Sequence, residues 1–393
     1  MKLATIKDYD FKNKKVLMRV EFNAPISNGV VTDDTRIVSV LPTINYILEQ
    51  PGSRLIVMSH LGRPKGKKDE RFSLKPVAKR FEELLGRKVT LADDVIGESV
   101  KKAVDNLKAG EVLLLENTRF YPQEESNDLS FAKELASYGD VYVNDAFGTS
   151  HRAHASTEGV SHYLPTYAGF LVEKELKFLA PLLENPTKPF VAIIGGAKVS
   201  SKITVLQSLA KRCDTIVIGG AMAYTFLYSQ NHSIGKSLLE KDYLETATSF
   251  LKEAESLGVK VILPVDHRCA TEFDENAEVH LVDSTDIPED LIGMDIGPKT
   301  EKLITDELEN AKSIVWNGPM GVFEFEQFSE GTKEVALKVA ESSAVSVVGG
   351  GDSVAAVNKF NLGDKIDHVS TGGGASLEFL EGKILPGLKA LER

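Results

Sequence analysis

Short apolar runs closed by Gly, Asp or Asn alternate along this chain with longer stretches whose apolar residues recur at helical spacing. Such alternation marks βα units, in which parallel strands are joined by helical crossovers. In the first half, strands are predicted at 15–23, 54–59, 111–116 and 140–145, with helices near 75–85, 98–107 and 130–138. The second half continues the pattern. Its strands are predicted at 190–194, 215–218, 259–265, 313–316 and 345–348, and its helices near 201–211, 243–257, 300–310 and 332–341.

A chain of 393 residues exceeds the size at which a single hydrophobic core stops growing, so two domains are expected. Val172, Leu176, Leu179 and Leu183 keep helical spacing, and Asn185-Pro186 then breaks it. The predicted fold is therefore α/β: two Rossmann-like lobes with parallel sheets flanked by helices, at 1–170 and 188–376, joined by a connecting helix and hinge at 171–187. With 42% hydrophobic and 26% charged residues the composition is globular, and no apolar run reaches the roughly 20 residues that span a bilayer. The first fifteen residues lack the apolar core of a secretory signal, so a cytoplasmic protein without a membrane role is expected. Cys213 and Cys269 are too few for a disulfide framework and lack metal-ligand spacing; both are expected reduced, in helix or loop packing. A net charge of −11 argues against nucleic acid as a partner, because that affinity comes from many cations neutralising phosphates. An anionic ligand must then be met by a local cationic pocket.

Candidates for that pocket stand just beyond predicted strands of the first half. Period-two alternation puts Glu21 and Asn23 on one face of the first strand, with Phe22 on the other. Arg36 follows in the run 33–37, His60 and Arg63 follow the second strand, Arg119 the third, and Arg152 and His154 the fourth. In open α/β sheets ligands bind at the carboxyl ends of strands. Four arginines and two histidines gathered there suit one phosphate and one carboxylate, since guanidinium forks hold such groups bidentately.

The second half carries three strand-to-glycine turns: Gly195-Gly196, Gly349-Gly350-Gly351 and Gly372-Gly373-Gly374. Glycines at the start of a helix leave backbone N–H groups and the helix dipole facing an anion. Lys198 and Lys202, four apart, are expected on one helical face, and Asp352 and Ser353 are of capping type. None of the turns has the G-x-G-x-x-G dinucleotide fingerprint. The near-Walker run Gly235-Lys236-Ser237 has Gln230 where a glycine is required.

Taken together, the stretches 19–25, 59–64, 115–120, 144–156, 195–203, 294–298, 316–324, 349–353 and 370–375 resemble the phosphoglycerate kinase family, in that family's order and over essentially the whole chain. The resemblance implies an N-terminal lobe for 3-phosphoglycerate or 1,3-bisphosphoglycerate and a C-terminal lobe for ADP or ATP with magnesium. It implies substrate contacts at Glu21, Phe22, Asn23, Arg36, His60, Leu61, Gly62, Arg63, Arg119 and Arg152, with His154 beside them. Nucleotide contacts are implied at Lys198, Lys202, Gly293, Glu324, Gly350, Gly351, Asp352 and Ser353. It further implies a monomer, hinge bending, and a last segment, 377–393, that packs on the N-terminal lobe.

Three positions depart from the family pattern: Glu21 stands for the usual Asp, Ser201 for an Asp and Ala221 for a Gly. None removes a charge expected at the moving phosphoryl group. The expected chemistry is direct in-line phosphoryl transfer, in which Arg36 and Lys198 offset charge, Gly372 and Gly373 assist through their N–H groups, and Asp352 holds magnesium. Two rival readings remain open from the residues alone: a nicotinamide-dependent oxidoreductase, disfavoured by the missing fingerprint, and a non-catalytic binder of phosphorylated metabolites.

Overall fold

A computed structural model of the chain describes residues 3–393. They form two compact units, one running up to Leu176 and joined by Ile384–Arg393, the other Lys177–Lys383. In the first unit β1 (Lys15–Arg19), β2 (Arg54–Met58), β3 (Val89–Leu91), β4 (Val112–Leu114), β5 (Val141–Asn144) and β6 (Thr166–Ala168) pair in parallel, in the order β3-β4-β2-β1-β5-β6. Both faces of this sheet are buried, which explains why its strands read as unbroken apolar runs. Val16 and Met18 of β1 join Val57 and Val143 in one core, while Leu17 joins Ile56 and Tyr142 in another on the opposite face.

The second unit repeats the plan. Its strands β7 (Phe190–Ile194), β8 (Thr215–Ile218), β9 (Lys260–Ile262), β10 (Ser313–Asn317), β11 (Val345–Gly349) and β12 (His368–Val369) pair in parallel in the order β9-β8-β7-β10-β11-β12. Each sheet has one point where the strand order reverses, between β1 and β5 in the first and between β7 and β10 in the second. Crevices at such points are where open α/β sheets take their ligands. The α/β class with parallel sheets flanked by helices is thus as the alternation predicts.

Several details differ from the sequence-based expectation. Strand β1 ends at Arg19 and does not run to Asn23. The inside–outside alternation nevertheless persists past its end, with Phe22 buried and Glu21 and Asn23 half-buried. Arg36 lies in no strand end but in the first turn of a helix, Thr35–Leu48, which the prediction lacked; the helix runs on through Pro42, and Ile37, Val40, Ile44 and Ile47 line one buried face. A three-stranded antiparallel sheet, His280–Val282, His267–Ala270 and Ile292–Ile296, was also unforeseen. Cys269 is buried in it, so its packing is in a strand rather than a helix or loop.

The chain's last residues return to the first unit. Leu3 bridges Glu392, the Ala4 N–H donates to the Leu391 carbonyl at 3.0 Å, and the Gly387 N–H donates to the Ser150 carbonyl at 2.9 Å. A side chain at Gly387 would collide with the Ser150 backbone, its Cβ standing 2.9 Å from Cα.

Candidate active site

Loops from the carboxyl ends of β1, β2, β4 and β5 enclose a pocket of about 420 Å³ in the first unit. Of the residues singled out in the sequence it gathers Glu21, Asn23, His60, Gly62, Arg63, Arg119, Arg152 and His154, and it adds Glu125, Gly148, Thr149 and His151. Asn117 ties two of these loops together: its amide donates to the Leu61 carbonyl at 2.7 Å and the Phe72 carbonyl at 2.9 Å, and its Oδ1 accepts from the Leu61 and Arg119 N–H groups. Asn23 Oδ1 accepts from the Gly62 N–H at 2.8 Å, and Arg119 Nη1 donates to the Gly62 carbonyl at 3.0 Å. The pocket wall is thereby built before any ligand enters.

Arg36 meets the pocket through Glu21. Its Nη1 donates to Glu21 Oε1 at 2.6 Å and to the Asn23 carbonyl at 3.0 Å. Asp33 fixes the start of the helix by accepting from the Thr35 N–H and hydroxyl, and these bonds lower the Asp33 pKa. Two members of the implied substrate set face elsewhere. Phe22 is fully buried and packs on Phe81 with ring centroids 5.0 Å apart, while its N–H donates to Ser59 Oγ. Leu61 is a core side chain whose N–H and carbonyl are both held by Asn117. Their side chains shape the pocket from behind.

Burial governs the electrostatics. It pushes the Glu21 carboxyl up, against the pull of Arg36, and lowers the arginines Arg19 and Arg119, which remain cations. Burial also holds His60 well below the ordinary histidine range, and Arg19, Arg119, Arg36 and His154 add to the effect. His154 is lowered too, chiefly by burial, with Glu124 opposing.

In the second unit, the glycine turns lie after β7, β8, β10, β11 and β12. The closest approaches join backbone to backbone: a Cβ on Gly318, whose φ is +101°, would stand 2.1 Å from the Gly195 carbonyl oxygen, and one on Gly195 would stand 2.0 Å from that of Pro319. Lys202 Nζ donates to Asn317 Oδ1, and Ser353 Oγ accepts from the Gly318 N–H. Burial lowers the Lys202 ammonium while Asp352 pulls it back up. Lys202, Asn317, Gly350, Asp352 and Ser353 therefore form one cluster at the ends of β7, β10 and β11. Asn317 and Gly318 were not foreseen as its hub, although they stand in the matching stretch 316–324.

Two local expectations are corrected. Lys198 and Lys202 do not share an α-helical face, because Lys198 is extended, a 3-10 turn occupies Val199–Ser201, and the helix starts only at Ile203. Neither Asp352 nor Ser353 caps: Gly350, at φ +90°, is the N-cap of Gly351–Lys359, and Ser353 points back to Gly318. The Gly372 N–H donates to Ser370 Oγ at 3.1 Å, an internal contact, and Gly373, at φ +51°, opens the helix Gly374–Leu380. Lys198 is exposed; its carbonyl accepts from the Ser201 hydroxyl at 2.9 Å, and its side chain makes no hydrogen bond or ion pair among the described residues. Gly293 lies in the antiparallel sheet with its Cα against the Tyr224 ring, its N–H donating to Ser237 Oγ at 2.9 Å; Glu324 is exposed in the loop after β10.

Comparison with known proteins converges on one family. The family model described as phosphoglycerate kinase matches residues 6–383. A phosphoglycerate kinase of Borrelia hermsii is 60% identical over 393 residues, covering 100% of both chains, and one of Clostridium tetani is 53% identical over 390 residues, covering 98% of this chain and 97% of the relative. Among solved structures, the phosphoglycerate kinase of Coxiella burnetii superposes with a TM-score of 0.91 at 44% identity over 99% of each chain. That of Pyrococcus horikoshii gives 0.86 at 34%, over 99% of this chain and 98% of the other. These names lend no support to a nicotinamide-dependent oxidoreductase or to a binder without activity. With its cationic pocket, its glycine-lined strand ends and relatives that match from end to end, the chain belongs to the phosphoglycerate kinase family.

Proposed function

We propose that the first unit binds the anionic groups of 3-phosphoglycerate and its 1-acyl phosphate in the pocket at the β1/β5 switch point, and that the second unit binds ADP or ATP at the turns around Lys202 and Asp352. The observation that carries this reading is the gathering of Arg63, Arg119 and Arg152 with His60 and His154 around one pocket in a chain of net charge −11. A preformed wall of guanidinium forks recognises phosphate and carboxylate without rearrangement.

Phosphoryl transfer needs alignment and charge compensation more than covalent chemistry, so no protein nucleophile is invoked. Arg36, held by Glu21, and Lys198, free to reach, are the cations for the moving group. Asp352 suits a hard dication held by one carboxylate together with phosphate oxygens and water. Its side chain is exposed and, beyond its electrostatic pull on Lys202, makes no hydrogen bond or ion pair among the described residues, where no cluster of three His, Cys, Asp or Glu side chains is present to cage a metal unaided. Bound magnesium would offset charge on the nucleotide phosphates. Because the two ligands belong to separate units, transfer requires the units to bring the reacting oxygens to roughly 3–3.5 Å, a hinge motion that also sheds water. The reading includes a monomer acting in the cytoplasm as part of glycolysis.

The deciding assay is ATP formation from ADP and 1,3-bisphosphoglycerate. Arg36→Ala and Lys198→Ala should each lower turnover by roughly 100-fold; near-normal turnover removes that residue from its role. Solution scattering should show compaction when both ligands are bound, and its absence counts against the hinge.

A further inference from the structure

Beneath the pocket, Arg19 is fully buried at the end of β1, and no carboxylate among the described residues forms an ion pair with it. Its guanidinium is instead distributed over three neutral acceptors. Nε donates to Ser156 Oγ at 2.7 Å, Nη1 donates to the Val20 carbonyl, and Nη2 lies 3.0 Å from His60 Nδ1. Ser156 is fixed in turn by Glu124, which accepts from its N–H at 2.8 Å and is itself fully buried. An arginine has five donors and no acceptor, so the contact at Nδ1 admits a single assignment: the arginine donates and the imidazole nitrogen accepts. A proton on Nδ1 would set two donors against each other inside the core, where an unmade hydrogen bond is costly. The ring's other nitrogen, Nε2, has no hydrogen-bond partner among the described residues, and His60 lines the pocket.

We propose that Arg19 is a positioning residue for His60. By donating to Nδ1 it fixes the ring orientation and the Nε2–H tautomer, so that the pocket's histidine meets an anionic ligand as a neutral hydrogen-bond donor and never as a cation. The cationic share of recognition then falls to the arginines. The groups facing His60 agree with this: Arg19 from β1, Arg119 from the loop after β4, Arg36 from the helix Thr35–Leu48 and His154 from the loop after β5 all disfavour an added proton. Glu21 and Glu125 are the acidic groups of the same pocket; the Glu21 carboxylate is engaged by Arg36, and Glu125 lies 3.8 Å from Arg119.

The ligand part of the proposal rests on the pocket binding phosphoglycerate; the tautomer part does not, and the two are read separately. In protein labelled with 15N-histidine and without substrate, the signal lost in His60→Gln should show an unprotonated Nδ1 and a protonated Nε2, unchanged from pH 8 to 5.5. A protonated Nδ1, or a titration near the ordinary value of about 6.5, overturns the proposal even if the enzyme is fully active. In Arg19→Met that resonance should lose its fixed tautomer, and the KM for 3-phosphoglycerate should rise roughly tenfold and become pH-dependent below neutrality, with the KM for ADP unmoved. A variant in which tautomer and KM both stay as in the parent overturns it too. Should Arg19→Met fail to fold, the spectra of the unaltered enzyme still decide. Should His60→Gln leave the KM for 3-phosphoglycerate unchanged while the tautomer is as stated, the pocket assignment fails and the role of Arg19 toward the ring stands.

Discussion

Glu21 Oε1 stands 2.6 Å from Arg36 Nη1, joining the loop after β1 to the first turn of the helix that follows. The extra methylene of Glu relative to the family's usual Asp gives the carboxylate this reach. Gly148 leaves the room, since a Cβ there would come within 1.9 Å of Glu21 Oε2. Glu21→Asp should therefore loosen Arg36 and raise the KM for 3-phosphoglycerate by roughly two- to five-fold, the scale of a partly exposed charged contact. Glu21→Ala should raise it further. Steady-state kinetics check the order, and an unchanged KM in both variants would show that the pair does not shape the pocket.

Gly318 is needed for its backbone as well as for space. Its φ of +101° and the 2.1 Å approach to the Gly195 carbonyl leave no place for a methyl group. Gly318→Ala should cost on the order of 1–3 kcal/mol and displace the hub formed with Ser353 and Asn317. Thermal unfolding should show the loss, and the KM for ADP should rise while that for 3-phosphoglycerate holds. Equal damage to both constants would argue for general unfolding instead.

Asp295 is buried in the second unit, where burial pushes its carboxyl up to about 8 against the opposing Gly331 N–H and Arg268. A carboxyl raised this way contributes stability that is complete below its unfolded value near 4 and is lost as pH rises through 8. A pKa displaced by one is worth roughly 1.4 kcal/mol. Melting curves of the enzyme and of Asp295→Asn from pH 5 to 9 should show the parent losing ground to the variant as pH rises. A constant separation between parent and variant over this range would mean that Asp295 is already ionised at pH 5.

Phe22 is assigned to packing by its zero exposure and its contact with Phe81. Phe22→Ala should cost about 3–5 kcal/mol through the cavity it leaves. Denaturant unfolding measures this directly, and a loss below 1 kcal/mol would move Phe22 out of the core.

The sheets were legible because strands buried on both faces, such as Val16–Leu17–Met18, leave an apolar run that polar turn residues delimit. The helix Thr35–Leu48 was not, since Pro42 and its β-branched residues argue against helix locally; its period of buried Ile37, Val40, Ile44 and Ile47 was the available signal. The antiparallel strand His267–Ala270 carries His and Arg in a run that tertiary pairing, not propensity, makes extended. At the site, cations beyond strand ends identified the pocket, yet Arg19 read as a strand residue. Its contacts to Ser156 and His60 join positions 137 and 41 residues away, and no local pattern encodes them.

The hydrogen bond from Gly387 to Ser150 has a consequence for biosynthesis. Ser150 lies in the loop that carries Thr149, His151 and Arg152 into the pocket, but the strand of chain that braces it leaves the ribosome only after all of Lys177–Lys383. The first unit, translated before its neighbour, lacks this contact until the neighbour has been made, so in a nascent chain stalled before Ile384 the loop bearing Arg152 would be held only by its own hydrogen bonds, such as Ser150 N–H to the Phe147 carbonyl.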